Sequence, residues 1–305
     1  MITPGAKGTI LVHKGALGDF LQIWPSLLAL RRFWPGSSLY WAGRDGYRLW
    51  TDPLQLVPCP GRLRMAVDRL YSADTWPQDL EGYHILWFGL RIPPTEHPFS
   101  NLFFCPGIGP EDQTPPRRVY AQTLESLGVP RAKDWLTTWR THISCNQSTA
   151  GKRALLFPGS GHSAKCWPLR RFHSLAGWLQ GQGLDPIFVC GPAEVERRLL
   201  VQNLQHFLPK DLQDLQDCLQ DCRLVVGNDS GPMHLAGLMG CPGLVLFGPA
   251  SSRQWGPVGL VTLQAQMPCS PCTQVGRIQC IYPACMASIS EIWVRDSIDS
   301  LLNMH

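Results

Sequence analysis

Short apolar runs alternate with longer helix-like segments along the first part of the chain. The predicted strands there are 9–13, 39–42 and 85–88, and the predicted helices are 20–33 and 119–127. The Pro- and Gly-rich region 91–116 is interpreted as an irregular surface loop. A strand, a glycine turn and a helix that follow one another in this order are typical of an α/β domain.

The same alternation begins again at Ala154. The predicted strands are 154–157, 186–190, 223–227 and 243–248, and the predicted helices are 169–180, 193–204, 212–222 and the later part of 228–240. Strands that alternate with helices imply parallel sheets. The fold class predicted from both series is α/β, with two doubly wound domains that face one cleft and bind ligands beyond the carboxyl ends of their strands.

The domain boundary is predicted in the polar region 131–151, which shows no clear period. The predicted N-terminal domain is therefore 1–150, and the second domain is 151–288. A terminal helix within 289–305 is predicted to return to the N-terminal domain.

Composition narrows the class of protein. The 305 residues are 44% hydrophobic and 16% charged, which excludes intrinsic disorder for a chain of this size. A net charge of +4 gives no indication of nucleic-acid binding. No apolar stretch reaches about 18 residues, and the first residues lack the apolar core of a signal peptide. The expected location is the cytoplasm.

The segment GNDSGPMHLAGLMG follows a predicted strand and opens a helix. The backbone N–H groups of Ser230 and Gly231 are predicted to bind a diphosphate at the helix N-terminus, and Asp229 to accept sugar hydroxyls. His234, one turn further on, could face the same site. The alternatives are that Asp229 or Ser230 only caps the helix and that His234 is structural.

The loop FPGSGHSAKCWP is a second candidate for phosphate binding. Hydroxyls of Ser160 and Ser163 could donate to phosphate, and Lys165 could supply positive charge. The loop lacks the Gly-Lys-Ser/Thr ending of a Walker A motif. The alternative is a surface loop with a solvated lysine.

Carboxylates follow two further predicted strands. In GALGDF, Asp19 lies at a helix start, where it could act as a general base or cap the helix. In CGPAEVERR, Glu194 or Glu196 could bind ribose hydroxyls or could only complement the helix dipole.

The cysteines Cys269, Cys272, Cys280 and Cys285 form a cluster with the spacing C-x2-C-x7-C-x4-C. Four thiolates could bind zinc, but these spacings are not those of a standard zinc ribbon or finger. A disulfide and buried free thiols are the other interpretations, and the last is favoured.

Three segments together resemble the ADP-heptose:lipopolysaccharide heptosyltransferase family of bacterial glycosyltransferases. They are HKGALGDFLQIWPSLLALRRFWPGSSL, FPGSGHSAKCWPLRRFHSLAGWL and VVGNDSGPMHLAGLMGCPGLVLFGPASSRQWGP. The pattern Asp-Ser/Thr-Gly-x-x-His-Leu-Ala, followed by Phe-Gly-Pro, is the most specific of these features. Phe20 and Trp24 are larger than the residues usual in the family, which predicts a different acceptor pocket.

The resemblance implies a GT-B fold, with two Rossmann-like domains and the active site between them. It implies an inverting transfer of heptose from ADP-heptose to a lipopolysaccharide core acceptor, with no obligatory cofactor. Asp19 and Lys165 are then the expected catalytic residues, as base and as partner of the leaving phosphate. The expected donor-binding residues are Ser160, Ser163, Glu194, Glu196, Asp229, Ser230, Gly231 and His234.

The expected partners are an ADP-sugar and a lipid-linked core oligosaccharide, with no nucleic acid. An amphiphilic acceptor would bring the enzyme into transient contact with the inner membrane surface. Three alternatives remain: a GT-B enzyme for another nucleotide sugar, a non-catalytic nucleotide or glycan binder, and a metal or redox protein.

Overall fold

The computed structural model describes residues 2–70, 75–90, 99–109, 113–145, 151–191, 204–272, 280 and 283–303. The chain forms two compact units, Met1–Trp135 and Leu136–His305. The sequence predicts a boundary at 150, within a polar linker. In the structure a helix over Trp135–His142 occupies part of that linker.

The first unit contains a five-stranded sheet in which all paired strands are parallel. Its strands are β1 (Gly8–His13), β2 (Leu39–Ala42), β3 (Val57–Pro58), β4 (Tyr83–Gly89) and β5 (Leu102–Pro106), in the order β3-β2-β1-β4-β5. Its helices are α1 (Leu17–Phe33), α2 (Arg48–Thr51), α3 (Gly61–Arg69) and α4 (Pro116–Ser126). This is the doubly wound arrangement that the sequence predicts.

Helix α1 is buried along most of its length, because residues 20–30 are all buried. A helix that is apolar on every side belongs inside a domain rather than on its surface. Phe20 and Trp24 lie in this buried part, at 0% and 2% exposure. Any effect of these two large residues on the acceptor pocket would therefore act through the packing around Asp19, and the expectation of a different acceptor pocket stays a prediction.

Strand β5 was missed by the sequence analysis, which interpreted 91–116 as irregular. The segment Leu102–Pro106 pairs in parallel with β4, and Leu102 and Cys105 are buried. The surrounding Pro and Gly residues hid a strand of only five residues, because turn residues dominate the pattern on both sides.

The second unit contains a six-stranded sheet, whose paired strands are again all parallel. Its strands are β6 (Arg153–Phe157), β7 (Asp185–Val189), β8 (His206–Phe207), β9 (Leu224–Asn228), β10 (Gly243–Phe247) and β11 (Val261–Gln264), in the order β11-β10-β9-β6-β7-β8. Counted within the unit, this is the Rossmann order 3-2-1-4-5-6.

Seven described helices accompany this sheet: α5 (Trp135–His142), α6 (Leu169–Gly181), α7 (Leu212–Gln220), α8 (Gly231–Met239), α9 (Ser252–Trp255), α10 (Ala284–Ser288) and α11 (Glu291–Asn303). The helix predicted at 193–204 lies outside the described residues, apart from its last residue.

Helix α11 packs on the core of the second unit. Its buried residues Val294, Ile298 and Leu301 belong to the same apolar cluster as Leu244 and Leu246 of β10. The expectation that this helix also returns to the N-terminal domain stays a prediction. None of the helices in the described part of the chain is long and apolar enough to span a membrane.

Candidate active site

Strands β6 and β9 are neighbours in the second sheet, and their carboxyl ends carry two of the predicted phosphate-binding segments. The sheet order reverses between these two strands, because the chain adds strands outward from β6 on one side and from β9 on the other. The crevice beyond such a switch point is where doubly wound sheets bind their ligands. The fold thus brings Ser160, Lys165 and Asp229 to one edge.

An ion pair joins the two segments. The Nζ atom of Lys165 donates to Oδ2 of Asp229 at 2.8 Å, and the two side chains are 24% and 9% exposed. The alternative of a fully solvated Lys165 is therefore wrong. Because an ammonium group has three donor hydrogens, one bond to Asp229 leaves it able to bind a phosphate oxygen as well.

Ser160 contributes a second connection between the loops. Its hydroxyl donates to the backbone carbonyl oxygen of Asp229 at 2.7 Å, and the residue is buried. In this arrangement Ser160 positions Asp229 rather than pointing its hydroxyl hydrogen towards a ligand. The prediction had assigned that hydroxyl directly to phosphate.

A short turn presents Lys165. Ser163–Lys165 forms a 3-10 turn, and Nδ1 of His162 accepts a hydrogen bond from the backbone N–H of Ala164 at 3.1 Å. Ser163 is exposed, and its carbonyl oxygen accepts from the N–H of Cys166 at 3.0 Å. The capping role of His162 was not predicted.

Asn228 holds the ends of the two strands together, and sequence reasoning missed it. Its side chain is fully buried, its Nδ2 donates to the carbonyl oxygen of Pro158 at 2.7 Å, and its Oδ1 accepts from the N–H of Trp167 at 2.9 Å. One amide therefore fixes both ends of the loop that carries Lys165. The available signal was a polar residue that ends the apolar run LVVGN.

Helix α8 begins beside this loop, with Ser230 at its N-cap. Neither Asp229 nor Ser230 caps it through its side chain: Asp229 pairs with Lys165, and the Oγ of Ser230 is buried without a hydrogen-bond partner among the described residues. The alternative of a simple side-chain cap is thus wrong for both residues. The helix N-terminus at Gly231 remains available as an anion-binding element.

His234 lies in α8 and is 6% exposed, so most of its ring is packed inside the unit. Its backbone N–H donates to the carbonyl oxygen of Ser230 at 3.3 Å. Glu194 and Glu196, the two candidates for ribose binding, lie outside the described residues.

Asp19 occupies the corresponding edge of the first sheet, after β1. Its Oδ2 accepts a hydrogen bond from the backbone N–H of Ala16 at 3.2 Å, so one carboxylate oxygen contacts the helix N-terminus. Gly15 allows a close approach here, because a Cβ at this position would lie 2.8 Å from both the Cβ of Asp19 and the ring of His13. A carboxylate oxygen can accept more than one hydrogen bond, so the contact with Ala16 is compatible with a chemical role for Asp19.

Two buried titratable side chains, His13 and Tyr47, lie beside Gly15 in the turn that precedes Asp19. His13 is buried, and burial together with the nearby charge of Arg44 lowers its pKa to about 4. Burial raises the pKa of Tyr47 to about 12, and its hydroxyl donates to the carbonyl oxygen of Gly15 at 3.3 Å. Phe20 stacks on Tyr47 with ring centroids 4.3 Å apart. Phe20 therefore holds in place the ring of Tyr47, which lies next to the candidate site.

The four C-terminal cysteines are free thiols. Cys285 is buried, Cys272 is partly buried, and Cys269 and Cys280 are exposed. The favoured interpretation of four buried thiols is correct for Cys285 but wrong for the exposed pair, which lies on irregular segments rather than in the core.

Residues 117–282, more than half of the chain, match glycosyltransferase family 9 (heptosyltransferase). The chain belongs to this family. The family 9 assignment confirms the prediction of a glycosyltransferase related to the heptosyltransferases, and the two Rossmann-like sheets agree with the predicted GT-B class.

Three proteins that are similar to this chain are named as heptosyltransferases. Lipopolysaccharide heptosyltransferase 1 of Salmonella typhimurium is 21% identical over 82% of this chain and 91% of its own length. Lipooligosaccharide heptosyltransferase 2 of Haemophilus influenzae is 32% identical, but the match spans only 31% of this chain and 30% of that protein. The structure of E. coli heptosyltransferase WaaC with ADP has a TM-score of 0.63 at 17% identity, covering 96% of this chain and 99% of WaaC.

Replacing Asn228 tests its role in this site. Asn228→Asp replaces the Nδ2 donor with an oxygen that would face the carbonyl of Pro158, next to Asp229. We expect a loss of about 1–3 kcal/mol in the free energy of unfolding, measured by urea denaturation. Asn303→Asp at an exposed position is the matched control and should change stability by less than about 0.5 kcal/mol. Equal stability of Asn228→Asp and wild type would contradict the bridging role.

The low pKa of His13 predicts a pH dependence of stability. Between pH 6.5 and about 4 the unfolded state binds a proton at His13 that the folded state does not. Stability should therefore fall as the pH falls through this window, by up to about 3 kcal/mol. Urea unfolding at several pH values should show a shallower slope for His13→Gln than for wild type. The exposed His142→Gln variant should keep the wild-type slope, and a His13→Gln slope equal to wild type would refute the assignment.

Proposed function

We propose that this protein transfers heptose from ADP-heptose to a lipopolysaccharide core acceptor, with inversion at the anomeric carbon. The observation that carries the proposal is the Lys165–Asp229 pair beside the N-terminus of α8, at the switch point of a family 9 chain. The donor and acceptor classes are supported by the names of the relatives, a lipopolysaccharide heptosyltransferase and a heptosyltransferase with ADP.

In this proposal the donor diphosphate binds over the N-terminus of α8. The N–H of Gly231 and the positive end of the helix dipole attract the phosphate oxygens. The Oγ of Ser230 supports the same site, because a buried hydroxyl without a partner gains a hydrogen bond when an acceptor arrives. Ser163, on the exposed turn, can approach the phosphates from the loop side.

Lys165 supplies the positive charge that the leaving group needs. As the bond from C1 of heptose to the diphosphate breaks, negative charge grows on the phosphate oxygens, and an ammonium group held in place stabilises it. The pairing with Asp229 fixes the lysine before the donor binds, so little reorganisation is needed during the reaction. Asp229 in turn has a second carboxylate oxygen with which to accept a sugar hydroxyl.

Asp19 is the proposed general base. Its position in the first turn of α1 stabilises the carboxylate, and one oxygen is anchored by Ala16. The neighbouring His13, with a pKa of about 4, is neutral at neutral pH and adds no positive charge that would weaken the base. The acceptor O–H loses its proton to Asp19, its oxygen bonds to C1, and ADP leaves from the opposite face.

Two further parts of the proposal concern the donor and the cell. Glu194 or Glu196 binds the ribose, and His234 supports the Asp229 segment through α8.

The protein acts in the cytoplasm and visits the inner membrane surface to reach its lipid-linked acceptor. A net charge of +4 is compatible with this contact.

Substitution of Asp19 tests the catalytic proposal. Asp19→Asn keeps the size of the side chain but removes the base, so kcat for heptose transfer should fall about 10²–10⁴-fold. The measurement is transfer from ADP-heptose to a heptose-deficient lipopolysaccharide core. ADP binding should be unchanged, because the proposed contacts to ADP are made by Lys165, Ser230 and Gly231 and not by Asp19.

The matched control for Asp19→Asn is Asp52→Asn, an exposed aspartate of the same unit, which should retain wild-type kcat. If Asp19→Asn also retained wild-type kcat, Asp19 would not be the base, although the donor assignment would stand.

Nucleotide binding tests the donor assignment separately. At equal concentrations ADP should raise the melting temperature more than UDP or GDP. A ligand at 100 times its Kd that binds only the folded state adds about 2.7 kcal/mol of stability. Lys165→Met should reduce the shift with ADP, while Lys152→Met on the same unit should not. A larger shift with UDP or GDP would contradict ADP-heptose as donor and favour a GT-B transferase for another nucleotide sugar.

A further inference from the structure

Three cysteines that belong to neither the donor site nor the C-terminal cluster meet inside the second unit. Cys145 follows α5, Cys222 precedes β9, and Cys241 precedes β10. All three are buried, and their Sγ atoms lie within 4.8 Å of one another. The Sγ atoms of Cys145 and Cys222 are 4.0 Å apart. Three separate segments therefore converge on a single point with three sulfur atoms.

The cluster is far from the proposed chemistry. Cys222 and Cys241 stand at the amino ends of β9 and β10, whereas Asp229 follows the carboxyl end of β9. A five-residue strand spans roughly 16 Å at about 3.3 Å per residue. A group bound at the cluster would therefore act on structure rather than on the sugar transfer.

The spacing of the sulfur atoms suits a metal ion. A tetrahedral Zn²⁺ ion bonded to thiolates at about 2.3 Å separates its sulfur ligands by about 3.8 Å. The observed separations, 4.0 Å for one pair and no more than 4.8 Å for the others, need only a small contraction. A disulfide between Cys145 and Cys222 would instead need the sulfurs to approach to about 2.05 Å.

Zn²⁺ is the cation that fits this environment best. Thiolate ligands favour soft cations such as Zn²⁺ and Cu(I). Three buried thiolates carry a net charge of −1 with a divalent ion and −2 with a monovalent one, and buried charge is costly. A fourth ligand is available close by, because the carbonyl oxygen of Gln220 lies 3.2 Å from Sγ of Cys145, and that of Leu219 lies 3.4 Å from Sγ of Cys241.

We propose that Cys145, Cys222 and Cys241 bind one structural Zn²⁺ ion. On binding, three Zn–S bonds form, the thiols that were protonated release their protons to solvent, and no redox change takes place. The ion connects the segment after α5 to the amino ends of β9 and β10. Hydrogen bonds already join these parts: the N–H of Cys145 donates to Met239, and the guanidinium of Arg140 donates to Leu238 and Gly237 at the end of α8.

The experiment first removes the competing cysteines. In a Cys269→Ser, Cys272→Ser, Cys280→Ser background, full-length protein is purified under reducing conditions without chelators, and its metals are measured by mass spectrometry. We expect one zinc per chain. X-ray absorption at the zinc edge should show three sulfur neighbours at about 2.3 Å and one lighter neighbour.

Matched variants then locate the ion. Cys222→Ser in this background should lose the zinc, whereas Cys218→Ser, a buried cysteine four residues earlier on α7, should keep it. If Cys222→Ser does not fold, the zinc content and the X-ray absorption of the background protein still test the proposal. A chelator should then release the zinc and make three further thiols reactive.

Three results from the background protein would overturn the proposal. They are a background protein that binds no stoichiometric zinc after incubation with Zn²⁺, a zinc ion with four sulfur neighbours, and a Cys145–Cys222 disulfide in the unreduced protein. Zinc retained by Cys222→Ser would equally exclude this site.

Discussion

The side-chain amide of Asn228 is the contact that holds together the segments of the proposed donor site. It joins the end of β9 to both ends of the loop that follows β6, segments some 60 to 70 residues apart in the chain. Because the amide is fully buried, each of its two hydrogen bonds must be made within the protein, and either one left unmade would cost the desolvation of a polar group. In the loop position that these two hydrogen bonds hold, Nζ of Lys165 lies 2.8 Å from Oδ2 of Asp229.

The sequence could predict which edge of the sheet carries the site, because parallel strands bring their carboxyl ends together whatever the details of their packing. Lys165 and Asp229 were found in this way, since each follows an apolar run. Asn228 was not found, because the last residue of a buried strand gives no pattern that separates a bridging amide from an ordinary strand end. The roles of Ser160 and Ser230 also needed the structure, since a serine hydroxyl can bond to backbone, ligand or neither.

Local patterns failed where tertiary packing decides the structure. Residues 135–142 form α5 although they show no clear apolar period, and Arg140 fastens that helix region to the end of α8 through two carbonyl oxygens. Phe20 was interpreted as a change to a pocket, but its ring is completely buried and packs on Tyr47 and Trp41. Such contacts join residues far apart in the chain, which no window along the sequence can contain.

Two hydrogen bonds at the end of the loop that carries Lys165 bear on the order in which the protein folds during synthesis. The indole Nε1 of Trp167 donates to the carbonyl oxygen of Ile289 at 2.9 Å, and Arg171 donates to the same oxygen at 2.5 Å. During synthesis, residues 158–168 leave the ribosome more than a hundred residues before Ile289 does. The loop that carries Lys165 therefore acquires these two hydrogen bonds only after Ile289 has also been synthesised. A nascent chain can complete its first sheet before the proposed nucleotide site has these contacts.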